Sequence, residues 1–239
     1  MCGRFVSTTP PDQLAKYFGA ELMEELVEET AGNYNVAPTQ AVYTVYEDDG
    51  GRRLDAFHWG LVPSWAKDPK IGGRMINARA ETLVEKNSYK RPFAKRRCIV
   101  PADGFYEWKK IEGQTKKQPM YMSRVDGEPF AFAGLWEVWK DENHTDPDGE
   151  PLRLLSCTII TGEPNEKVAE VHDRMPVMLP PDRWDAWLDR DLHDTDVLQE
   201  FLVPAPAELF EIHPVSTDVN KVANNGPGLI EEADPVSEA

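Results

Sequence analysis

No stretch of the 239 residues is apolar over the roughly 18 positions that a membrane-crossing helix requires, so none is expected. The opening residues lack a basic segment followed by an apolar one, which argues against a secretory leader. Cysteine is scarce. The three present, Cys2, Cys98 and Cys157, form no CxxC and share no paired spacing. That argues against a disulfide framework and against a zinc site, and it fits a reducing cytoplasm. No metal and no cofactor are expected. Internal repeats and low-complexity linkers are also missing, which favours one domain for a chain of this length. Positive charge is in deficit, with 26 Lys and Arg against 42 Asp and Glu and a net charge of −16. A balance of that sign ordinarily argues against a nucleic-acid partner.

The distribution of charge reverses that inference. Residues 67–117 hold 14 Lys and Arg against 6 Asp and Glu, whereas residues 118–239 hold 8 against 26. A basic middle in an acidic chain reads as a polyanion groove on a protein kept soluble by the rest of its surface. The hydrophobic fraction of 41% is enough for a core, and 20 prolines with 7 tryptophans point to a compact, turn-rich fold.

Thr8-Thr9-Pro10-Pro11 combines a capping hydroxyl with prolines, the pattern of a helix start, and Gly19 ends that helix. Residues 20–30 read as a second, acidic helix and 33–40 as a polar loop. Residues 42–47 and 54–62 alternate as strands around a turn at Asp48-Asp49-Gly50-Gly51. A long irregular stretch follows over 63–74, and such stretches in compact domains are often functional. Further strands are expected over 98–101, 120–124, 130–139 and 152–161, and a last one begins at His213. Short helices are expected over 163–171, from Pro180 onward and over 194–202. The predicted fold class is α+β. One domain over 1–230 carries a strongly bent, largely antiparallel sheet flanked by short helices, and 231–239 form a disordered tail. The acidity points to a soluble monomer.

Met1-Cys2-Gly3-Arg4-Phe5 places a thiol directly after the start methionine. Removal of Met1 gives Cys2 both a thiol and a free α-amine, with unperturbed pKa values of about 8.5 and about 7.7–8.0. A 1,2-aminothiol condenses with an aldehyde through its amine and then closes a thiazolidine ring through its sulfur. Asn77, Glu107 and His172 add an amide, a carboxylate and an imidazole. Taken one at a time, each has an ordinary structural reading: a loop pin, a surface carboxylate, a helix-end histidine. Arg4, Arg79 and Arg174 are similarly open to reading as salt-bridge partners. Together with the basic middle they make a site for carbonyl chemistry on a phosphate-bearing substrate.

The motifs resemble those of the SOS-response-associated peptidase (SRAP) family, the abasic-site processing proteins. The stretches that carry the resemblance are MCGRF at 1–5, NYNVAPTQ at 33–40, WGLVPSW at 59–65, INARAET at 76–82, CIVPADGFYEW at 98–108 and HDRMPV at 172–177. HPVS at 213–216 and VNKVANNGPGLI at 219–230 extend it over nearly the whole chain. The resemblance implies self-attachment to an abasic site in single-stranded DNA. The Cys2 amine would form a Schiff base with the open-chain sugar, and the thiol would close the ring. His172 would assist sugar-ring opening, Glu107 would shuttle protons, and Asn77 would orient Cys2 or the sugar. The "peptidase" label would describe autocatalytic removal of Met1, and a weak lyase activity could accompany the Schiff base. Arg4, Lys67, Arg74, Arg79 and Arg174 are then candidate phosphate contacts. Trp65, Phe105 and Trp108 are candidate stacking residues, and Pro38 a candidate wedge. Two other readings are a class II glutamine amidotransferase, which also exposes an N-terminal cysteine, and a non-catalytic single-strand-binding module.

Overall fold

The computed structural model describes residues 2–23, 32–145 and 149–236. Its strands in chain order are β1 (Phe5–Ser7), β2 (Glu21–Leu22), β3 (Asn33–Val36), β4 (Ala41–Asp48), β5 (Gly51–Trp59), β6 (Asn77–Arg79) and β7 (Arg97–Ala102). They continue with β8 (Gly104–Lys109), β9 (Gln118–Arg124), β10 (Phe130–Thr145), β11 (Pro151–Gly162), β12 (Met175–Pro176) and β13 (Phe210–Pro214). The α-helices are short: α1 (Pro11–Phe18), α2 (Asn87–Lys95), α3 (Glu166–Ala169), α4 (Trp184–Leu188) and α5 (Thr195–Gln199).

The α+β class holds, with the sheet core divided in two. One sheet has the order β13-β9-β8-β1-β3. The other runs β12-β11-β10-β7-β4-β5-β2, with β6 added on β11. Because β5 also pairs with β11, at His58–Ser156 and Trp59–Cys157, strands β11, β10, β7, β4 and β5 close into a ring. Side chains on this larger sheet alternate between two cores, as the period of a strand requires. Ile99, Ala131, Ala133, Leu135 and Ile160 meet the helices through Leu14, Phe18, Phe93, Trp184 and Trp187. Cys98, Val100, Phe130, Phe132 and Ile159 face the smaller sheet, where Cys2, Phe5, Phe105 and Phe210 join them. A third, small cluster of Val6, Tyr106, Tyr121, Val215, Val219 and Leu229 covers the outer face of the smaller sheet.

Four local outcomes differ from the sequence-based expectation. Residues 33–36 are a strand rather than a loop. Of the helix expected over 20–30, Glu21 and Leu22 form a strand beside β5, and the part from residue 24 onward lies outside the described residues. Helix α2 was not anticipated; it buries Pro92 and Phe93 within a largely polar run. The segment from 231 that was expected to fray is hydrogen-bonded as far as Val236, whose N–H donates to Gln118 Oε1, while the Ala233 N–H donates to the Pro214 carbonyl.

One close backbone contact fixes the 61–74 stretch. Gly60 has φ +135°, and a Cβ there would lie 2.4 Å from the Gly72 carbonyl oxygen. Only glycine allows that approach. It folds the exposed turn bearing Trp65, Lys67 and Arg74 back against the end of β5.

Candidate active site around Cys2

The pairing of β1 with β8 decides where the N-terminus goes. Phe5 lies opposite Phe105, and the Tyr106 N–H donates to the Arg4 carbonyl at 3.0 Å. Continuing that register sets Gly3 opposite Glu107. Phe5 anchors the arm, its ring 5.1 Å from that of Trp59 in an edge contact. Asp103, in the turn between β7 and β8, accepts from the backbone N–H and hydroxyl of both Thr8 and Thr9. The threonines that looked like helix caps therefore fasten the exit of β1 instead.

Asn77 reaches the site from β6, which pairs with β11 through Ile159. Its Nδ2 donates to the carbonyl oxygen of Cys2 at 2.7 Å. Its Oδ1 is buried and has no hydrogen-bond partner among the described residues. Thr161 stands two residues beyond Ile159 on the same strand face, paired with Arg79, and its hydroxyl is likewise buried without a partner among the described residues. Sequence reading missed Thr161, because a threonine in a strand-like run looks like any β-branched strand residue. Only the register places it on the Cys2 side of the sheet.

His172 follows α3, its N–H held by the Val168 carbonyl at 2.9 Å. Its Nε2 lies 3.9 Å from Glu107 Oε2. The Arg174 N–H donates to His172 Nδ1 at 3.1 Å, and Nε2 is the ring nitrogen that faces Glu107. Asp173 Oδ1 lies 2.9 Å from the same Nδ1. The Cys2 thiol is fully buried. Burial pushes its pKa well up, and the Glu107 charge pushes in the same direction. Cys2 therefore rests as a thiol, and a base must take its proton when the sulfur reacts. Among the described residues no group of three or more His, Cys, Asp or Glu is placed to hold a metal ion. No helix among them is long and apolar enough to cross a membrane.

The family description "SOS response associated peptidase (SRAP)" matches residues 1–222. The chain belongs to this family. Among SRAP relatives, the abasic site processing protein YoqW of Bacillus subtilis is 46% identical over 232 residues, covering 97% of this chain and 99% of that protein. The abasic site processing protein YedK of Escherichia coli is 34% identical over 236 residues, with 97% and 99% covered. A crystal structure of a Bacteroides thetaiotaomicron protein superposes with a TM-score of 0.84 at 25% identity, covering 97% of this chain and 100% of that one.

Within this SRAP fold the candidate DNA contacts separate into two groups. Trp65 is 61% exposed, on a tip fixed by the Trp139 Nε1 bond to the Ala66 carbonyl. Lys67, Arg74 and Arg79 are exposed and make no ion pair among the described residues. Pro38 is half-buried at a turn whose next residue, Thr39, has φ +72°, a strained value for a β-branched side chain. The Thr39 N–H to Trp59 carbonyl bond at 2.9 Å holds that turn. Trp108 is half-buried on the outer face, its Nε1 donating to Asn220 Oδ1 at 2.7 Å. The remaining three are engaged within the protein. Phe105 is fully buried against Phe130 and Phe132 and has no face for a base. Arg4 Nη1 is bound to Asn35 Oδ1 and the Val219 carbonyl, both at 2.7 Å, so the guanidinium braces the fold. Arg174 grips Glu81 with two bonds and the Thr161 carbonyl with a third, which makes it an anchor for the His172 turn.

Proposed function

We propose that this protein captures abasic sites in single-stranded DNA as a covalent adduct of Cys2, acting as a monomer. The observation that carries the reading is the Asn77 bond to the Cys2 carbonyl, which pins the N-terminal residue beside Glu107 and His172. The names of its SRAP relatives, abasic site processing proteins, support the choice of substrate.

The chemistry begins with hydrolysis of the Met1–Cys2 peptide bond, with Cys2 as the nucleophile, which frees the α-amine. As the abasic sugar opens to its aldehyde, His172 delivers a proton from Nε2 to the ring oxygen while Glu107 takes the proton leaving the C1′ hydroxyl, and the proton shed by nitrogen as the Schiff base forms restores His172. The amine adds to C1′, and loss of one water gives the Schiff base. Glu107 delivers the proton that lets this water depart. The buried thiol then gives its proton to Glu107 while sulfur adds to the same carbon. The proton ends on nitrogen, and a neutral thiazolidine results. Both steps together release one water and need no oxidant or reductant. The Schiff base also acidifies C2′, so slow β-elimination of the 3′ phosphate competes until the ring closes. That competition gives a weak lyase activity.

The test is a denaturing gel of Met1-processed protein with a single strand bearing an abasic site, beside the same strand with its base intact. A heat-stable adduct on the abasic strand alone, lost in Cys2→Ala, is the expected result. Absence of adduct from correctly processed protein would refute the reading.

A further inference from the structure

We infer that the groove on the outer face of the five-stranded sheet is a second strand site, which takes the phosphodiester backbone of the single strand flanking the captured position. This rests on the reading above of Cys2 as the capture residue. The groove encloses about 720 Å³ between Trp108, Lys116 and Lys117 on one wall and Ser216, Thr217 and Lys221 on the other.

Three observations converge on it. The first is charge. Arg52, Arg53, Arg174 and Arg190 each meet a carboxylate. Lys116, Lys117 and Lys221 are exposed and form no ion pair among the described residues. Asp234 is the one carboxylate among the described lining residues, so positive charge predominates among them in a chain of net charge −16. Cations gathered without partners repel one another, and a polyanion relieves that repulsion. The second is the fixed aromatic. The Trp108 indole is held by Asn220 and leaves part of its ring uncovered, which suits a base next to a phosphate track. The third is continuity with the active site. Glu107 and Trp108 are neighbours on β8 and point to opposite faces of one sheet. The wall carrying Lys221 is tied to the Cys2 arm, since the Val219 carbonyl accepts from Arg4 and the Lys221 carbonyl accepts from Asn35 at 3.0 Å. Active site and groove are therefore two ends of one rigid unit around the β1–β3 edge. An acidic peptide supplies charge but no regular series of planar faces, so a nucleic-acid strand fits the lining better.

The test uses full-length, Met1-processed protein and abasic oligonucleotides with short arms, or with the 5′ or 3′ arm extended. Wild type is expected to bind tighter when one of the two arms is lengthened. The triple variant Lys116→Glu/Lys117→Glu/Lys221→Glu should lose that gain while forming adduct with the short-armed strand at the wild-type rate. Loss of three contacts should lower the salt dependence, as d log K/d log[salt], by about 2. Unchanged melting confirms that these exposed sites leave the fold intact. A variant that keeps the arm-length gain and the salt slope overturns the inference, as does a wild type indifferent to arm length. So does an acidic peptide that binds through the same lysines and displaces the strand. Plain binding of an undamaged strand is measured in parallel. Its dependence on the three lysines reports on the groove even if no adduct forms, which separates failure of the groove from failure of the capture chemistry.

Discussion

Asn77 donates its side-chain N–H to the Cys2 carbonyl at 2.7 Å, and the carbonyl half of the same amide is buried with no partner among the described residues. One half of the group holds Cys2, and in the proposed capture reaction the other half receives an incoming sugar hydroxyl. Asn77→Ala removes both. We expect adduct formation to slow by about tenfold to 100-fold, since small misplacement of reacting groups has effects of that size. Stability should fall by only about 1–2 kcal/mol, the usual range for one hydrogen bond. Single-turnover rates and thermal melting, measured together, separate the two.

The Glu107 carboxylate raises the pKa of the Cys2 thiol, second only to burial itself. Glu107→Gln removes that charge, so thiolate should appear at lower pH than in wild type. Adduct formation should nonetheless be slower, because the proton carrier is gone. Thiolate absorbance, taken as the difference from a Cys2→Ser variant, follows the titration. An upward shift would contradict the assigned geometry.

Trp65 and Phe105 make opposite demands on the protein. Phe105→Ala empties a buried ring site and should cost about 3–5 kcal/mol of stability. Trp65→Ala touches an exposed ring and should leave melting unchanged, while weakening single-strand binding by about 1–3 kcal/mol, the size of one base–aromatic stack. Denaturant unfolding and DNA titration on both variants check the contrast.

Two arginines with similar sequence surroundings should also diverge. Arg79→Ala removes an exposed cation that makes no ion pair among the described residues and should lower the salt slope of binding by about 0.7. Arg174→Ala should leave that slope unchanged. Its loss frees Glu81 and the Thr161 carbonyl and releases the turn that orients His172, so the rate of capture should fall instead.

Burial raises the Cys157 thiol pKa to about 12, with the Thr44 hydroxyl pulling it back. An unfolded thiol ionises near pH 8.5, at which point the unfolded state begins to bind fewer protons than the native one. The stability that Cys157 contributes is full below that value and is lost as pH rises toward the folded pKa. Over that window this group should give a slope of about −1.4 kcal/mol per pH unit. Urea unfolding between pH 7 and 10 should show a shallower decline in Cys157→Ala.

Strand alternation, the turn at 48–51, the closing Gly19 and the polar set of Cys2, Asn77, Glu107 and His172 were all legible in the sequence. What escaped it depends on partners far along the chain. Residues 33–36 looked like a polar loop because Asn35 is polar. Yet Asn35 is buried, accepting from Arg4 and donating to the carbonyls of Val219, Lys221 and Asn224. The bonds of Arg4 to the Val219 carbonyl and of Arg174 to the Thr161 carbonyl were illegible for the same reason: a guanidinium bound to a distant carbonyl is indistinguishable in sequence from a free one. Phe105 lies within an aromatic-rich motif, and only strand parity shows that it points inward while Trp108 points out.

The measurement that bears most directly on covalent capture by Cys2 is mass spectrometry of the adduct after nuclease trimming and tryptic cleavage at Arg4. The expected product is the peptide Cys2-Gly3-Arg4, without Met1, joined to the abasic sugar with loss of one water and stable without a reducing agent. An adduct on any other residue, or one formed with Met1 still attached, would contradict the account.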